Sequence, residues 1–238
     1  PARETFNHLN ILFYIGLGVF TGFYARYFNV IVQKTHHYFS RFKNRYVLKA
    51  IVGGSILSIL CILFPPLFGE GYTSIKILNT GNIETLIQGS LFSYLEPTKW
   101  VFITFLTLAI LLKAFATSIT LSSGGTGGTF APSLVAGGLL GYLFGYVLIV
   151  LGFQDVPLTN LMLVGMTGVM AGSLYAPLTA IFLIAECSGG YDLFIPLMIV
   201  AVISYVINKF FSPINPAFTN LANKGEIFTT RQDQNILS

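Results

Sequence analysis

The sequence predicts an all-α, polytopic membrane protein with broken and re-entrant helices. Of its 238 residues, only 9% are charged, 54% are hydrophobic, and the mean hydropathy is +0.74. A soluble domain carries about 25% charged residues, so these charges are too few to cover a soluble surface. No residue is charged at neutral pH between Lys113 and Asp155, an interval that can hold at least one span of the ~20 residues a bilayer requires. Disorder, a disulfide scaffold and a soluble nucleic-acid binder are excluded.

Apolar stretches of helical length follow one another along the chain. They cover residues 9–33, 46–64, 100–122, 130–151, 158–174, 177–187 and 193–211, with a short one at 216–223. The stretch 177–187 is too short to cross a bilayer at about 1.5 Å per residue, so half-spans are expected. Residues 65–98 are rich in turn residues, and we predict an irregular segment there with a short helix near 83–95.

Basic residues concentrate in and between the first two apolar stretches. No acid occurs from Thr5 through Gly69, while six basic residues do: Arg26, Lys34, Arg41, Lys43, Arg45 and Lys49. By the positive-inside rule, the loop at 39–49 is predicted to be cytoplasmic. If the following helices cross the membrane in alternating directions, residues 65–98 lie outside and the polar tail lies inside. A nucleic-acid surface is not expected, because the basic residues join two apolar spans.

Residues 122–132 read Ser-Ser-Gly-Gly-Thr-Gly-Gly-Thr-Phe-Ala-Pro and separate two uncharged apolar stretches. Glycines allow backbone N–H groups to converge, and Pro132 fits the first turn of a helix, where an N–H has no partner. Free amides at the positive end of a helix form an anion site. The alternative is a simple tight hairpin. A nucleotide P-loop is excluded because no lysine follows the glycines.

A second broken element lies at residues 165–179. Pro177 interrupts any continuous helix there and can begin a new one. Three methionines at four-residue spacing predict a packed core face: Met162, Met166 and Met170. Two broken helices in one chain are typical of transporters that point half-helix termini at a substrate.

Lys113 lies in the middle of a predicted span, and such a residue normally faces the protein interior. It either supports the glycine-rich turn and adds positive potential near an anion path, or pairs with backbone carbonyls. Cys61 and Cys187 are predicted to be buried thiols, and Glu186 a boundary carboxylate. Neither a metal nor a cofactor is expected, because no metal-ligand spacing links the three histidines, His8, His36 and His37.

Together these motifs resemble the CLC family of chloride channels and proton-coupled chloride antiporters. Residues 128–132 match its GxFxP motif, which precedes a helix that points its N-terminus at the anion. The match continues in order through residues 69–72, the Lys113 span, residues 165–179 and the short terminal helix. The resemblance is to the C-terminal half of that family's membrane domain, which has an inverted-repeat fold.

The resemblance implies transport of chloride or a similar small anion, by a passive channel or a chloride/proton antiporter. Backbone amides at Gly128, Thr129 and Phe130 would bind the anion. A family tyrosine that donates its hydroxyl to the same anion falls at Phe218, a departure that removes one donor. Supporting roles in the pore are expected for three neighbours, Lys113, Gly127 and Pro132.

The resemblance also implies a multi-pass protein of the cell membrane, expected in a bacterial inner membrane. A homodimer is expected, with surfaces near 177–187 and 193–211, as is an N-terminal half of the same membrane domain as partner. Residues 1–223 would form the transmembrane domain, and 224–238 a cytoplasmic tail that leads to a soluble domain.

Two other classes compete with anion transport. A secondary transporter of another solute would share the broken helices without favouring anions. An enzyme is not expected, because the predicted spans contain no His, no Asp and neither HExxH nor GxSxG.

Overall fold

The computed structural model describes residues 10–42, 45–69, 71–80, 86, 90, 92 and 98–212. Over these residues the regular structure is helical and contains no strand. The helices are α1 (Ile11–Ser40), α2 (Tyr46–Leu63), α3 (Tyr72–Thr80), α4 (Lys99–Ser122), α5 (Phe130–Val150), α6 (Leu158–Leu174), α7 (Pro177–Cys187) and α8 (Phe194–Phe211), with a 3-10 turn at Pro65–Leu67. Of the described helices, α1, α2, α4, α5 and α8 are long and apolar enough to cross a membrane. The predicted all-α membrane class is confirmed.

The observed helices depart from the predicted stretches in two places. Helix α1 continues past residue 33 to Ser40, because no glycine or proline stops it where its apolar part ends. Helix α3 lies in a segment predicted to be irregular. It forms because its apolar side chains share one face: Leu78 is buried, and Ile75 packs over Gly138 of α5. Most of the predicted helix at 83–95, and all of residues 213–238, lie outside the described residues.

Helix α6 is the centre of the structure. Most of its residues are buried, and it packs against α1, α5, α7 and α8. Met162, Met166 and Met170 are all buried, which confirms the predicted core face. A helix that is enclosed on all sides by other helices needs no polar face, and α6 has apolar residues on every side.

Helices α5 and α6 approach each other at backbone distance. A Cβ atom on Gly137 would overlap the carbonyl of Gly165, and one on Gly141 would overlap the carbonyl of Leu161. The reverse contact also holds, since a Cβ on Gly165 would overlap the carbonyl of Gly137. Small residues at such a crossing allow close packing of membrane helices. The two helices are antiparallel, because the contacting residue numbers rise along α5 and fall along α6.

Helices α1 and α8 pack in parallel through a second pair of glycines. Gly18 faces Ile203 and Gly22 faces Ile207, at 3.0 and 2.9 Å from an ideal Cβ to the nearest side-chain atom. Helix α6 runs in the same direction, because Gly168 contacts Thr21 and Val200 while Gly172 contacts Ala25 and Ser204. These contacts confirm the relative directions expected from alternating passages. Which end is cytoplasmic stays a prediction.

The break between α6 and α7 occurs where the sequence predicts it. Tyr175 adopts a left-handed conformation with φ of 59°, and Pro177 is the first residue of α7. In the last turn of α7, the exposed Glu186 accepts a hydrogen bond from Tyr191, which raises the pKa of that tyrosine. The predicted burial of Cys187 is wrong. It is exposed because it lies off the α7 face that is buried, which carries Ala180, Ile181, Ile184 and Ala185.

Gly141→Ala tests the contact between α5 and α6. The new methyl group would overlap the Leu161 carbonyl, and overpacking of this kind costs typically 1–3 kcal/mol. We expect a lower midpoint of thermal unfolding, measured by size-exclusion chromatography after heating in detergent.

Gly54→Ala is the matched control. Gly54 also lies in a helix, but no atom lies within 4 Å of its Cβ position. Alanine favours a helix over glycine by roughly 1 kcal/mol, so this midpoint should stay equal or rise. An equal fall of the unfolding midpoint in both variants would contradict the close contact between Gly141 and the Leu161 carbonyl.

Candidate functional site

The glycine-rich turn begins with a glycine termination of α4. Gly124 has φ of 104°, and the Gly125 amide donates to the Thr120 carbonyl at 2.9 Å. This is the six-to-one hydrogen bond of a Schellman motif, which requires positive φ at the residue after the helix cap. A Cβ on Gly125 would also lie only 2.8 Å from the Thr120 carbonyl oxygen. Two glycines are therefore needed to turn the chain away from α4.

The turn ends at the N-terminus of α5 with a row of unused amides. Thr129 is the N-cap, and the first backbone bond of the helix runs from the Ser133 amide to the Thr129 carbonyl at 3.0 Å. No amide of residues 126–131 donates to another residue that the structure describes. Pro132, in the first turn, has no N–H to offer. The helix dipole adds positive potential to the same amides, as anion binding requires.

The turn lies at the surface of this chain. Residues 124–128 are exposed, and Phe130 is 42% exposed. Irregular backbone in a membrane needs an aqueous cavity or further protein around it. Among the described residues, no other segment covers the turn. The amides are therefore available to a ligand, to water or to additional protein.

A cavity of about 420 Å³ adjoins the turn. It is lined by Leu57, Cys61, Leu67, Gly69, Lys113, Ala116, Thr117, Thr120, Leu121, Thr126, Gly127, Gly128, Ala131 and Pro132. It therefore brings four of the predicted residues together: Lys113, Gly127, Gly128 and Pro132. Thr129 and Phe130 flank the same turn without lining the cavity. Phe218 lies outside the described residues.

Lys113 is the cation of this cavity wall. Its side chain is 2% exposed, and its ammonium nitrogen lies 3.0 Å from the Gly69 carbonyl and 3.4 Å from the Leu67 carbonyl. The predicted carbonyl pairing is thus observed. Because these carbonyls follow α2, the lysine fastens the segment after α2 to α4. Its predicted support of an anion path stays a prediction.

Few other groups can donate hydrogen bonds into the cavity. The hydroxyls of Thr117 and Thr120 donate to the carbonyls of Lys113 and Ala116, each at 2.8 Å. Their protons are committed to the α4 backbone, which leaves the turn amides, the Thr126 hydroxyl of the same turn and Lys113 as the principal donors. Cys61 also lines the cavity; it is half-buried and packs against the hydrophobic core, so it is less buried than predicted.

The prediction from sequence missed a second polar cluster, at the end of α8. Arg26, near the middle of α1, donates a hydrogen bond to the Ser212 hydroxyl, and the Tyr175 hydroxyl lies 2.6 Å from the Ser212 carbonyl. Asn208 donates to the Gly22 carbonyl at 2.8 Å. The available signal was a charge in the middle of the apolar stretch 9–33, the same signal that marked Lys113. Arg26 was instead grouped with the basic loop.

No metal site emerges from the described residues, which contain no group of three His, Cys, Asp or Glu side chains able to hold an ion.

Comparison with known proteins adds a family match. A family model described as "Voltage gated chloride channel" matches residues 2–209. A "Putative chloride channel protein ClcB-like" of Ralstonia nicotianae is 29% identical over 208 residues, 87% of this chain and 44% of that protein. The "H(+)/Cl(-) exchange transporter ClcA" of Salmonella arizonae is 31% identical over 202 residues, 83% of this chain and 39% of that protein. The chain spans about two fifths of the length of these relatives.

Lys113→Met tests the role of the buried ammonium group. The substitution keeps an unbranched chain but removes the donor from two carbonyls, and leaving a buried polar group unpaired costs about 1–3 kcal/mol. Thermal unfolding in detergent should occur at a lower temperature. Lys76→Met, at an exposed position of α3, is the control and should change the midpoint little. Equal changes of the unfolding midpoint in the two variants would show that Lys113 does not hold the segment after α2.

Proposed function

The chain belongs to the voltage-gated chloride channel (CLC) family, and on this premise we propose that it forms part of a pore for chloride or a similar small anion. The pore would act as a passive channel or exchange chloride for protons. The observation that carries the proposal is the row of unused amides at residues 126–131, beside a cavity lined by Lys113. The names of the relatives, a chloride channel protein and H(+)/Cl(-) exchange transporters, support the same substrate.

In this proposal, main-chain dipoles bind the anion. The amides at Gly128, Thr129 and Phe130 would point at it, with Gly127 and Pro132 shaping the turn. Lys113 would add background potential without contact, since its ammonium group already bonds two carbonyls. Conduction requires binding that is weak enough for release. Dipoles meet that condition because they attract an anion without a full counter-charge.

We propose that an N-terminal half of the same membrane domain completes the pore. Support comes from the exposed glycine-rich turn and from the share of the relatives' length that the chain covers. Residues 1–223 would belong to the membrane domain and 224–238 to a cytoplasmic tail. The bacterial relatives support a bacterial inner membrane as the location, and no enzymatic activity is proposed.

A homodimer is also proposed, through α7 and α8. Both helices expose large apolar side chains: Leu178, Phe182, Ile195, Met198, Val202 and Val206. Such a surface can face lipid or a second copy. Crosslinking in native membranes distinguishes these two possibilities. A crosslinked dimer is expected, and detection of monomer alone would contradict the proposal.

Bromide, which replaces chloride and scatters anomalously, tests where the anion binds. Crystals of the complete protein soaked in bromide should show a peak at the start of α5, within hydrogen-bond distance of the Thr129 and Phe130 amides. A peak beside Lys113 alone would overturn the dipole site. No ordered bromide, together with binding of a different solute, would favour a transporter of another class.

Phe218→Tyr tests the predicted loss of one hydroxyl donor. A hydrogen bond to a charged partner contributes roughly 1.5–3 kcal/mol, so chloride should bind about tenfold more tightly at the lower end of that range. Calorimetric titration at one pH and ionic strength measures the change. Phe210→Tyr adds the same hydroxyl at an exposed position of α8 and should leave the affinity unchanged. Equal affinities in all three proteins would mean that Phe218 does not face the anion.

A further inference from the structure

We infer that a second cavity, between α3, α5 and α6, binds a small monocarboxylate. Its volume is about 300 Å³. It is lined by residues 78–80 at the end of α3, by Tyr142 of α5, and by residues 158–159 and Met162 of α6. It shares no lining residue with the cavity beside the glycine-rich turn. The inference therefore does not rest on the proposed function.

Tyr142 brings a buried hydroxyl without a partner to this cavity. The side chain is only 4% exposed. Its ring packs edge-on against Phe102 and stacks on Tyr146, but its hydroxyl forms no hydrogen bond with any residue that the structure describes. Buried tyrosine hydroxyls usually find a hydrogen-bond partner, and one without a partner is costly. A ligand that accepts this hydrogen bond would remove the cost.

The N-terminus of α6 lies at the same cavity. The first hydrogen bond of this 17-residue helix runs from the Leu161 amide to the Pro157 carbonyl at 2.9 Å. Pro157 is the N-cap, and it has no polar side chain to cap the helix. The amides of Leu158 and Thr159, two lining residues, donate to no residue that the structure describes. Free amides at the positive end of a helix dipole favour an anion.

Asn79 joins two sides of the cavity and adds a further donor. Its side-chain oxygen accepts a hydrogen bond from the Thr159 hydroxyl at 3.3 Å, which connects the end of α3 to the start of α6. The NH₂ group of Asn79 has no acceptor among the described residues. The Thr80 hydroxyl donates to the Ile77 carbonyl at 2.8 Å. Of the side-chain protons in the lining, those of Tyr142 and Asn79 are therefore free for a ligand.

The absence of charge in the lining decides between a cation and an anion. None of the lining residues is acidic or basic. Asp155, near the start of α6, is exposed and lies outside the lining. A cation would find no carboxylate there. An anion would receive hydrogen bonds from a phenol, from an amide side chain and from main-chain N–H groups, and it would meet no carboxylate that repels it.

The size and the apolar part of the cavity define the rest of the ligand. Leu78, Leu158 and Met162 form an apolar wall beside the donors. A halide ion is too small to contact both the donors and this wall, and the volume is at the lower end of the range for small-molecule sites. A carboxylate head on a short apolar tail satisfies both parts. The ligand class is therefore a short-chain monocarboxylate.

Crystals of the complete protein soaked in 4-bromobutyrate test where such a ligand binds. The bromine should give an anomalous peak beside Leu158 and Met162, and the carboxylate should lie within hydrogen-bond distance of the Tyr142 hydroxyl. A bromine peak only at the start of α5 would assign the carboxylate to the glycine-rich turn and would overturn the inference.

Tyr142→Phe tests the buried donor, because it removes the hydroxyl and keeps the ring. Calorimetric titration of the complete protein with butyrate, at constant pH and ionic strength, should show about tenfold weaker binding, the loss expected for one hydrogen bond to a charged partner. Tyr146→Phe is the matched control. Tyr146 stacks on Tyr142 from the same helix but does not line the cavity, so its variant should bind butyrate as the unsubstituted protein does. Equal losses in both variants would overturn the role of the Tyr142 hydroxyl.

Asn79→Asp tests whether the cavity selects an anion. Aspartate has nearly the same size but repels a carboxylate, so butyrate should bind at least tenfold more weakly. Butyramide, a neutral molecule of the same shape, should bind the unsubstituted protein more weakly than butyrate and should be unaffected by Asn79→Asp. Equal affinities of the unsubstituted protein for butyrate and butyramide would overturn the preference for an anion.

The same titrations separate this inference from the proposed function. Tyr142→Phe should leave chloride affinity unchanged, because Tyr142 does not line the cavity beside the turn. If the unsubstituted protein binds butyrate but not chloride, the proposed function fails and the carboxylate site stands. If it binds no butyrate, the inference is overturned whether or not chloride binds.

Discussion

The backbone contact between α5 and α6 is the constraint on which the rest of the structure depends. In a bilayer, apolar side chains gain little by leaving lipid for protein, so helices associate mainly by close packing. Gly137 and Gly141 allow the α5 backbone to lie directly on the α6 carbonyls. Helix α5 begins at the glycine-rich turn, whose amides are unused. The position of the candidate anion site is therefore set by residues well outside it.

Helix α6 extends this constraint to the other side of the molecule. Its second glycine face, Gly168 and Gly172, admits Thr21 and Ala25 of α1 and Val200 and Ser204 of α8. Because the two faces belong to one helix, a displacement of α8 relative to α5 must distort α6 or open one of its contacts. The break at Tyr175 lets α6 end inside the protein, and the hydroxyl of that residue satisfies the end of α8. The break between the two helices and the hydrogen bond to the end of α8 thus both depend on Tyr175.

Much of this fold could be predicted because the membrane imposes simple demands. Apolar runs locate the spans, Pro177 locates the break, and the glycines at 124–128 locate the turn. Helix α3 was missed because its short amphipathic pattern becomes helical only when Ile75 packs over Gly138. The contact of Arg26 was missed for a related reason, since its partner Ser212 is distant in sequence and is brought close by the α1–α8 packing. Composition reveals which residues need partners, whereas tertiary packing decides which partners they receive.

The distribution of hydrogen-bond donors around the cavity explains how such a site could select anions and still release them. Thr117 and Thr120 commit their protons to α4 and present acceptor lone pairs, which do not favour an anion. Lys113 divides its charge-assisted bonds between the carbonyls of Leu67 and Gly69, which lowers the net attraction it exerts. The main-chain amides of the turn remain as the strongest oriented donors. An anion held by them gains dipole stabilisation without forming an ion pair, so its departure does not require separating two opposite full charges.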